Sequence, residues 1–455
     1  MKLTYNKLPN FPWGKTYSAT LHRTAHRAYL LSLCLLSIGF TGYGQYSQKA
    51  KATGLSLEYC VEKAVSNYPM VKQYGLIEKA EAFSLSNASK GYLPQFSLSA
   101  RATYQSEVTQ IPVSMPGITP LNKDQYQAVL ELNQTIWDGG AIESQKKAAK
   151  AASEVEKRKN ETDLYALRER VNQLFFGILL LEEQIVQNGL LQKELNTNYK
   201  KVSAYLQNGV ATKPDLDAIK VEQLKASQRL EELTMTGKTF REMLAVMTGD
   251  SLALNGNLIK PQVPAGRVNG LNNLNNNRPE LKFFDAQKGL YSSQESAVKA
   301  SVMPKFNLFM QGGYGNPGLN MLKNEFSPYY ITGVRLAWNF GAFYTQKNTL
   351  RKLEVNRQSV ELQKETFLFN SRLLSTQQKN EIDKLSRQLS SDEEIISLRH
   401  SIKVAAEVKV ENGTLSVSDL IREINAENLA LQEKAFHEIQ LLSAIHSFKT
   451  TLNEN

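Results

Sequence analysis

The residues best suited to metal or proton chemistry in the body of this chain are His400, His437 and His446, and their separations give no ligand-type pattern. All three fall in stretches with helical periodicity. There are two cysteines, Cys34 and Cys60. Cys34 lies in an apolar run near the N-terminus, where Leu31-Ser32-Leu33 puts a bulky leucine where a lipid-acceptor motif has a small residue. Cys60 then stands alone, leaving no intrachain disulfide and no cysteine metal site. Gly313-Tyr314-Gly315-Asn316-Pro317-Gly318 has the spacing of a dinucleotide-binding glycine loop. It follows a strand but opens no helix, and no acid stands about 20 residues later, so an external loop explains it better. These residues point away from an enzyme, and none calls for a cofactor.

The remaining signals lie in the elements. Of 455 residues, 42% are hydrophobic and 22% charged. Beyond the first 45 residues no stretch reads as long and apolar enough to cross a bilayer as a helix, which takes about 20 residues. Residues 1–44 read as a signal peptide: a leader with five basic and no acidic residues, an apolar run from Ala28 to Phe40, then Gly42-Tyr43-Gly44. Its removal takes the net charge from +10 to +5, too mild an excess to argue for nucleic acid. With only 26 Gly and 14 Pro, long uninterrupted elements are expected.

The chain is duplicated. Asn67-Tyr68-Pro69 recurs as Asn277-Arg278-Pro279 and Leu93-Pro94-Gln95-Phe96 as Met303-Pro304-Lys305-Phe306, both 210 residues on. Leu130-Glu131-Leu132 recurs as Val334-Arg335-Leu336, Asn208-Gly209 as Asn412-Gly413 and Asp215-Leu216 as Asp419-Leu420, all 204 residues on. The six-residue change lies between Pro94 and Leu130, marking a tolerant loop around 110–124 and its counterpart around 315–328. The expected organisation is a first repeat over 45–260 and a second over 261–455.

Each repeat has two stretches alternating with period two, the pattern of a strand with unlike faces. Phe96, Leu98, Ala100 and Ala102 alternate with polar residues, as do Ala128, Leu130 and Leu132; then Phe306, Leu308 and Met310, and finally Val334, Leu336, Trp338 and Phe340. Tyrosines and tryptophans gather at the strand ends, at Tyr92, Tyr104, Tyr126, Trp137, Tyr314, Tyr329, Tyr330 and Trp338. Strands of about ten residues with aromatic ends suit a membrane barrel, although a water-soluble sandwich shows the same alternation. Ala141–Gln207 and Thr345–Glu411 lack proline, and each would form a helix of 67 residues, about 100 Å long. Leu164, Leu167, Val171, Leu174, Ile178, Leu181 and Ile185 follow coiled-coil spacing. Asn208-Gly209 and Asn412-Gly413 then supply helix ends that tolerate positive φ, and Thr212 to Asp215 and Ser416 to Asp419 resemble capping boxes.

These doubled motifs, with Gly91-Tyr92-Leu93-Pro94 and Trp137-Asp138-Gly139-Gly140, make the chain resemble the TolC-like outer-membrane efflux proteins from about Leu55 to Leu452. The second half departs at Trp338-Asn339-Phe340-Gly341-Ala342, which lacks the Asp-Gly-Gly ending. The resemblance implies an α+β membrane protein made of a duplicated helix, strand, strand, long helix unit. Four strands per protomer would join in a homotrimer as a 12-stranded β-barrel, continued by a periplasmic α-helical coiled-coil tunnel. It also implies a passive exit duct in the outer-membrane lipid of a Gram-negative bacterium, served by a periplasmic adaptor and an inner-membrane pump. By that likeness Asn208, Gly209, Asn412 and Gly413 lie at the adaptor-facing tips. Asp419 matches an acidic position that narrows the closed end in some relatives, and Arg422 stands where a second acid can occur. In the barrel, Glu131, Asn307, Gln311 and Arg335 would face the pore and the apolar alternates lipid. A periplasmic coiled-coil adaptor or scaffold is the competing reading.

Overall fold

The computed structural model describes residues 54–109, 120–262 and 276–453. The expected signal peptide, 1–44, and most of the 110–124 loop lie outside them. Thr53–Asn455 forms one compact unit.

Its first half runs β1 (Gly54–Leu55), α1 (Leu57–Asn67), α2 (Gln73–Ser89), β2 (Gln95–Tyr104), β3 (Asp124–Trp137), α3 (Ala141–Gln207) and α4 (Lys213–Thr248). A four-residue α5 (Leu252–Asn255) and β4 (Asn257–Leu258) follow, β4 pairing in parallel with β1. The second half repeats the plan as α6 (Pro279–Ser301), β5 (Lys305–Asn316), β6 (Ser327–Ala337), α7 (Ala342–Glu411) and α8 (Val417–Leu452). The duplicated helix, strand, strand, long helix order is present as expected.

The long helices obey the seam spacing. Leu164, Leu167, Val171, Leu174 and Ile178 of α3 are buried, and α3 packs along α4, α6 and α8 while α7 packs on α8. One core, containing Val171, Phe175, Ile178, Leu244 and Ile439, joins α1, α3, α4 and α8. A second holds Leu195, Val202, Ile219, Val410, Leu420 and Ile424, and so ties all four long helices together next to their turns. One 18-residue window of α3 does reach the length and apolarity of a membrane span, contrary to the sequence expectation. Its helix contributes fully buried Phe175 and Ile178 to the first core, so packing accounts for part of that apolarity, while Val186 and Leu190 are exposed. Cys60 is buried in the same core, and burial pushes its thiol up to about 11.

The strands form one antiparallel sheet in the order β2-β3-β5-β6. One strand end departs from expectation. β6 stops at Ala337, so Trp338, Asn339 and Phe340 leave the alternation: Trp338 Nε1 donates to the Val302 carbonyl at 3.0 Å and its ring packs at a tilt against Phe340. In the first half Asp138 accepts from Gly140 N and Ile142 N through its carboxylate and so organises the start of α3; the Asn339 side chain accepts from Gly341 N. Lacking the Asp-Gly-Gly turn, the second half enters its helix sooner, and α7 has 70 residues against 67 in α3.

Candidate functional site

Two features could do work: the faces of the sheet and the turns at the far ends of the helical hairpins.

Antiparallel pairing places directly opposed residues on one face. Phe96 opposes Leu132 and Leu98 opposes Leu130; Leu132 opposes Met310, and Leu308 opposes Val334. The apolar alternates of all four strands therefore share one face, and it is open to the surroundings: Leu98 is 75% exposed and Val334 71%. The opposite face gathers Glu131, Asn307, Gln311 and Arg335, as the alternation requires. Glu131 opposes Gln311 and accepts from its Nε2 at 2.9 Å, while Arg335 Nη1 reaches Glu131 Oε1 at 3.5 Å. Asn307 opposes Arg335, whose guanidinium also lies over the Phe309 ring. The sequence thus assembles a paired charge cluster on the polar face.

Tyr329 corrects an expectation. Its place at a strand end suggested an interfacial belt, yet it opposes Gly313 on the polar face, and its hydroxyl accepts from Gln127 Nε2. A Cβ at Gly313 would strike the Tyr329 ring, so glycine is what lets that ring lie across the sheet. The literal G-x-G-x-x-G match belongs to this packing and turn, with β5 continuing to Asn316.

At the hairpin ends, Asn208 and Asn412 cap α3 and α7, and Gly209 and Gly413 have φ of 74° and 69°. Gly209 N donates to Leu206 O and Val210 N to Tyr205 O; Gly413 N donates to Val410 O and Thr414 N to Lys409 O. Both ends are therefore Schellman closures in which the left-handed residue is glycine. Thr212 and Asp215 then form a reciprocal capping box, with Pro214 in the first turn of α4. At the second turn Ser416 Oγ accepts from Asp419 N and donates to the Asp419 carboxylate at 2.7 Å. Asp419 also pairs with Arg422 Nη1 at 3.0 Å, so the carboxylate is held locally on two sides. Alanine at Gly209 or Gly413 is expected to cost about 1–2 kcal/mol through the left-handed backbone. Thermal unfolding of the purified variants would register that loss at either tip, and an unchanged midpoint would show that the turn relaxes.

Residues 63–250 match the family model described as "Outer membrane efflux protein". Among solved structures, the outer-membrane channel OprN aligns with a TM-score of 0.66 at 14% identity, over 88% of this chain and 90% of that one. The outer membrane protein VceC from Vibrio cholerae also gives 0.66, at 13% identity, over 88% and 96%. The Campylobacter jejuni CmeC outer membrane channel gives 0.61 at 13% identity, over 87% and 85%. No curated protein matches the sequence. The family model stops near the end of α4, and the duplication carries the same plan through α8.

The chain is similar to outer membrane efflux proteins over residues 63–250 and shares the fold of these solved channels over most of its length.

One polar network of this chain goes unmarked by the sequence motifs. Lys403 on α7 bridges Glu427 on α8 and Glu194 on α3, the latter at 2.7 Å, and His400 Nδ1 lies 2.7 Å from Glu427 Oε1. Burial alone would lower the Lys403 ammonium, but its two carboxylate partners hold it above its ordinary value. The signal was present: Val417, Leu420, Ile424 and Glu427 follow seam spacing, so Glu427 is a charge where an apolar residue is due. The other histidines are structural as well. His437 Nδ1 meets Asp392 at 2.8 Å, and His446, largely buried beside Phe176, is held below the ordinary imidazole value by burial.

Proposed function

We propose that this protein is the outer-membrane exit duct of a tripartite export system, a passive channel recruited by a periplasmic adaptor and driven by an inner-membrane pump. The observation that carries the reading is the sheet itself. It has four strands, its outer strands β2 and β6 each pair with one neighbour, and its apolar face is exposed. An open edge is not tolerated in lipid, and about eight strands is the smallest barrel, so one copy is incomplete. Three copies would close a 12-stranded barrel, with Glu131, Asn307, Gln311 and Arg335 inside and Leu98, Leu130, Met310 and Val334 toward lipid.

The hairpin turns complete the reading. Asn208, Gly209, Asn412 and Gly413 stand at the periplasmic end of such a tunnel, where an adaptor would dock on two chemically similar tips. Asp419 would contribute to the narrow end. Its pairing with Arg422 makes that contribution a neutral pair and not a bare acidic ring.

Cell fractionation tests the proposal against a periplasmic adaptor or scaffold. The native protein is expected in the outer-membrane fraction, released by detergent as a cross-linkable trimer. Recovery from the periplasm without detergent would defeat the duct reading.

A further inference from the structure

The charges on the sheet are distributed unequally between its faces. Following the pairing register, the apolar face carries one charged residue, Asp124, at the outer end of β3. The polar face carries Arg101, Glu131, Lys305 and Arg335, a net charge of +2 on each copy. Glu131 is already engaged by Arg335 and Gln311. Among the described residues Arg101 and Lys305 have no carboxylate partner, and both are exposed. Arg101 opposes Gln127 toward the outer end of the sheet, and Lys305 begins β5 at its inner end. Uncompensated cations thus stand near both mouths.

The geometry points to a duct whose barrel favours anionic cargo, with Arg101 and Lys305 as the residues that set this preference. The inference rests on the duct reading above. In a threefold barrel the polar face would present six net positive charges to the lumen, since each copy adds the same pair of unpaired cations. Rings of Arg or Lys raise the local concentration of anions and oppose cations, and low-dielectric walls concentrate that field. The hairpin end does not cancel it locally, because Asp419 is paired with Arg422. The cargo class indicated is therefore a solute with carboxylate, phosphate or sulfate groups.

The test is the reversal potential of the purified full-length protein in a planar bilayer under a potassium chloride gradient. The wild-type pore is expected to reverse on the chloride-preferring side. The Arg101→Glu/Lys305→Glu variant is expected to shift toward or past zero, with Arg101→Gln/Lys305→Gln in between. Trimer yield from the membrane fraction checks that each variant assembles. A cation-preferring wild type, or a preference unmoved in assembled variants, overturns the proposal. Membrane-inserted trimers that conduct no ions would overturn the duct reading itself, a result distinct from a pore of the opposite preference.

Discussion

Arginine at Leu130 will sharply reduce recovery of membrane-inserted trimer, whereas arginine at Leu336 will reduce it far less. Leu130 lies near the middle of β3, opposite Leu98 on the apolar face, and is 51% exposed. Leu336 lies on the same face, one residue from the inner end of β6, and is 57% exposed. Exposure alone would rank the two alike. Placed in a bilayer they differ, because arginine on the lipid face costs about 2–4 kcal/mol at the midplane and about 0–1 near the interface. In the proposed trimer three copies would multiply the midplane penalty in one barrel. In a water-soluble sheet, by contrast, arginine on an open face would be harmless at both positions. The measurement is the yield of cross-linked trimer from detergent-extracted outer membranes. Equal yields from Leu130→Arg, Leu336→Arg and wild type would sink the assignment of this face to lipid.

Much of this arrangement was legible because it repeats. The helix expected over Ala141–Gln207 has those ends, since Asp138-Gly139-Gly140 opens it and Asn208-Gly209 closes it, both through short-range hydrogen bonds. The polar face was legible for the same reason: period-two alternation decides which residues share it whatever the neighbouring strand. The misses arise where contacts bridge distant segments. Alternation continued through Phe340 on paper, but Trp338 is drawn off the strand by the Val302 carbonyl, which belongs to the segment before β5. Position along its strand puts Tyr329 in an aromatic belt, but its place depends on Gly313 of the neighbouring strand. The Lys403 network required knowing that α3, α7 and α8 meet at one level, which no seam pattern within one helix supplies. Assembly lies furthest from sequence: the exposed apolar face and the two edge strands call for a partner, and neither names how many copies meet.

That network supports the second large effect: Lys403→Met will destabilise the helical hairpins by about 3 kcal/mol, near the low end for breaking a buried ion pair. Lys403 is 11% exposed and Glu427 9%, so removing the ammonium leaves a carboxylate that water cannot readily reach with His400 as its remaining partner. An exposed pair provides the contrast. Lys434 meets Glu393 at 3.1 Å, but that carboxylate is 74% exposed, and Lys434→Met should cost at most about 1 kcal/mol. The pH dependence gives an independent readout. Burial would raise the Glu427 carboxyl, but hydrogen bonds from Lys403 and His400 outweigh it and hold it below its ordinary value. Such a group contributes stability above its unfolded pKa and loses it as pH falls through the lower folded value, so the wild-type contribution persists at pH 5. The raised Lys403 contributes below its unfolded pKa and is lost only as pH rises through its higher folded value, far above neutrality. In Lys403→Met, burial acts on Glu427 without the ammonium, and protonation relieves the strain. The gap from wild type should therefore narrow from pH 7.5 to pH 5, and Lys403→Arg should restore most of it at both. Denaturation midpoints in detergent would measure this, and a Lys403→Met midpoint equal to wild type at pH 7.5 would show that the three helices are held together without the bridge.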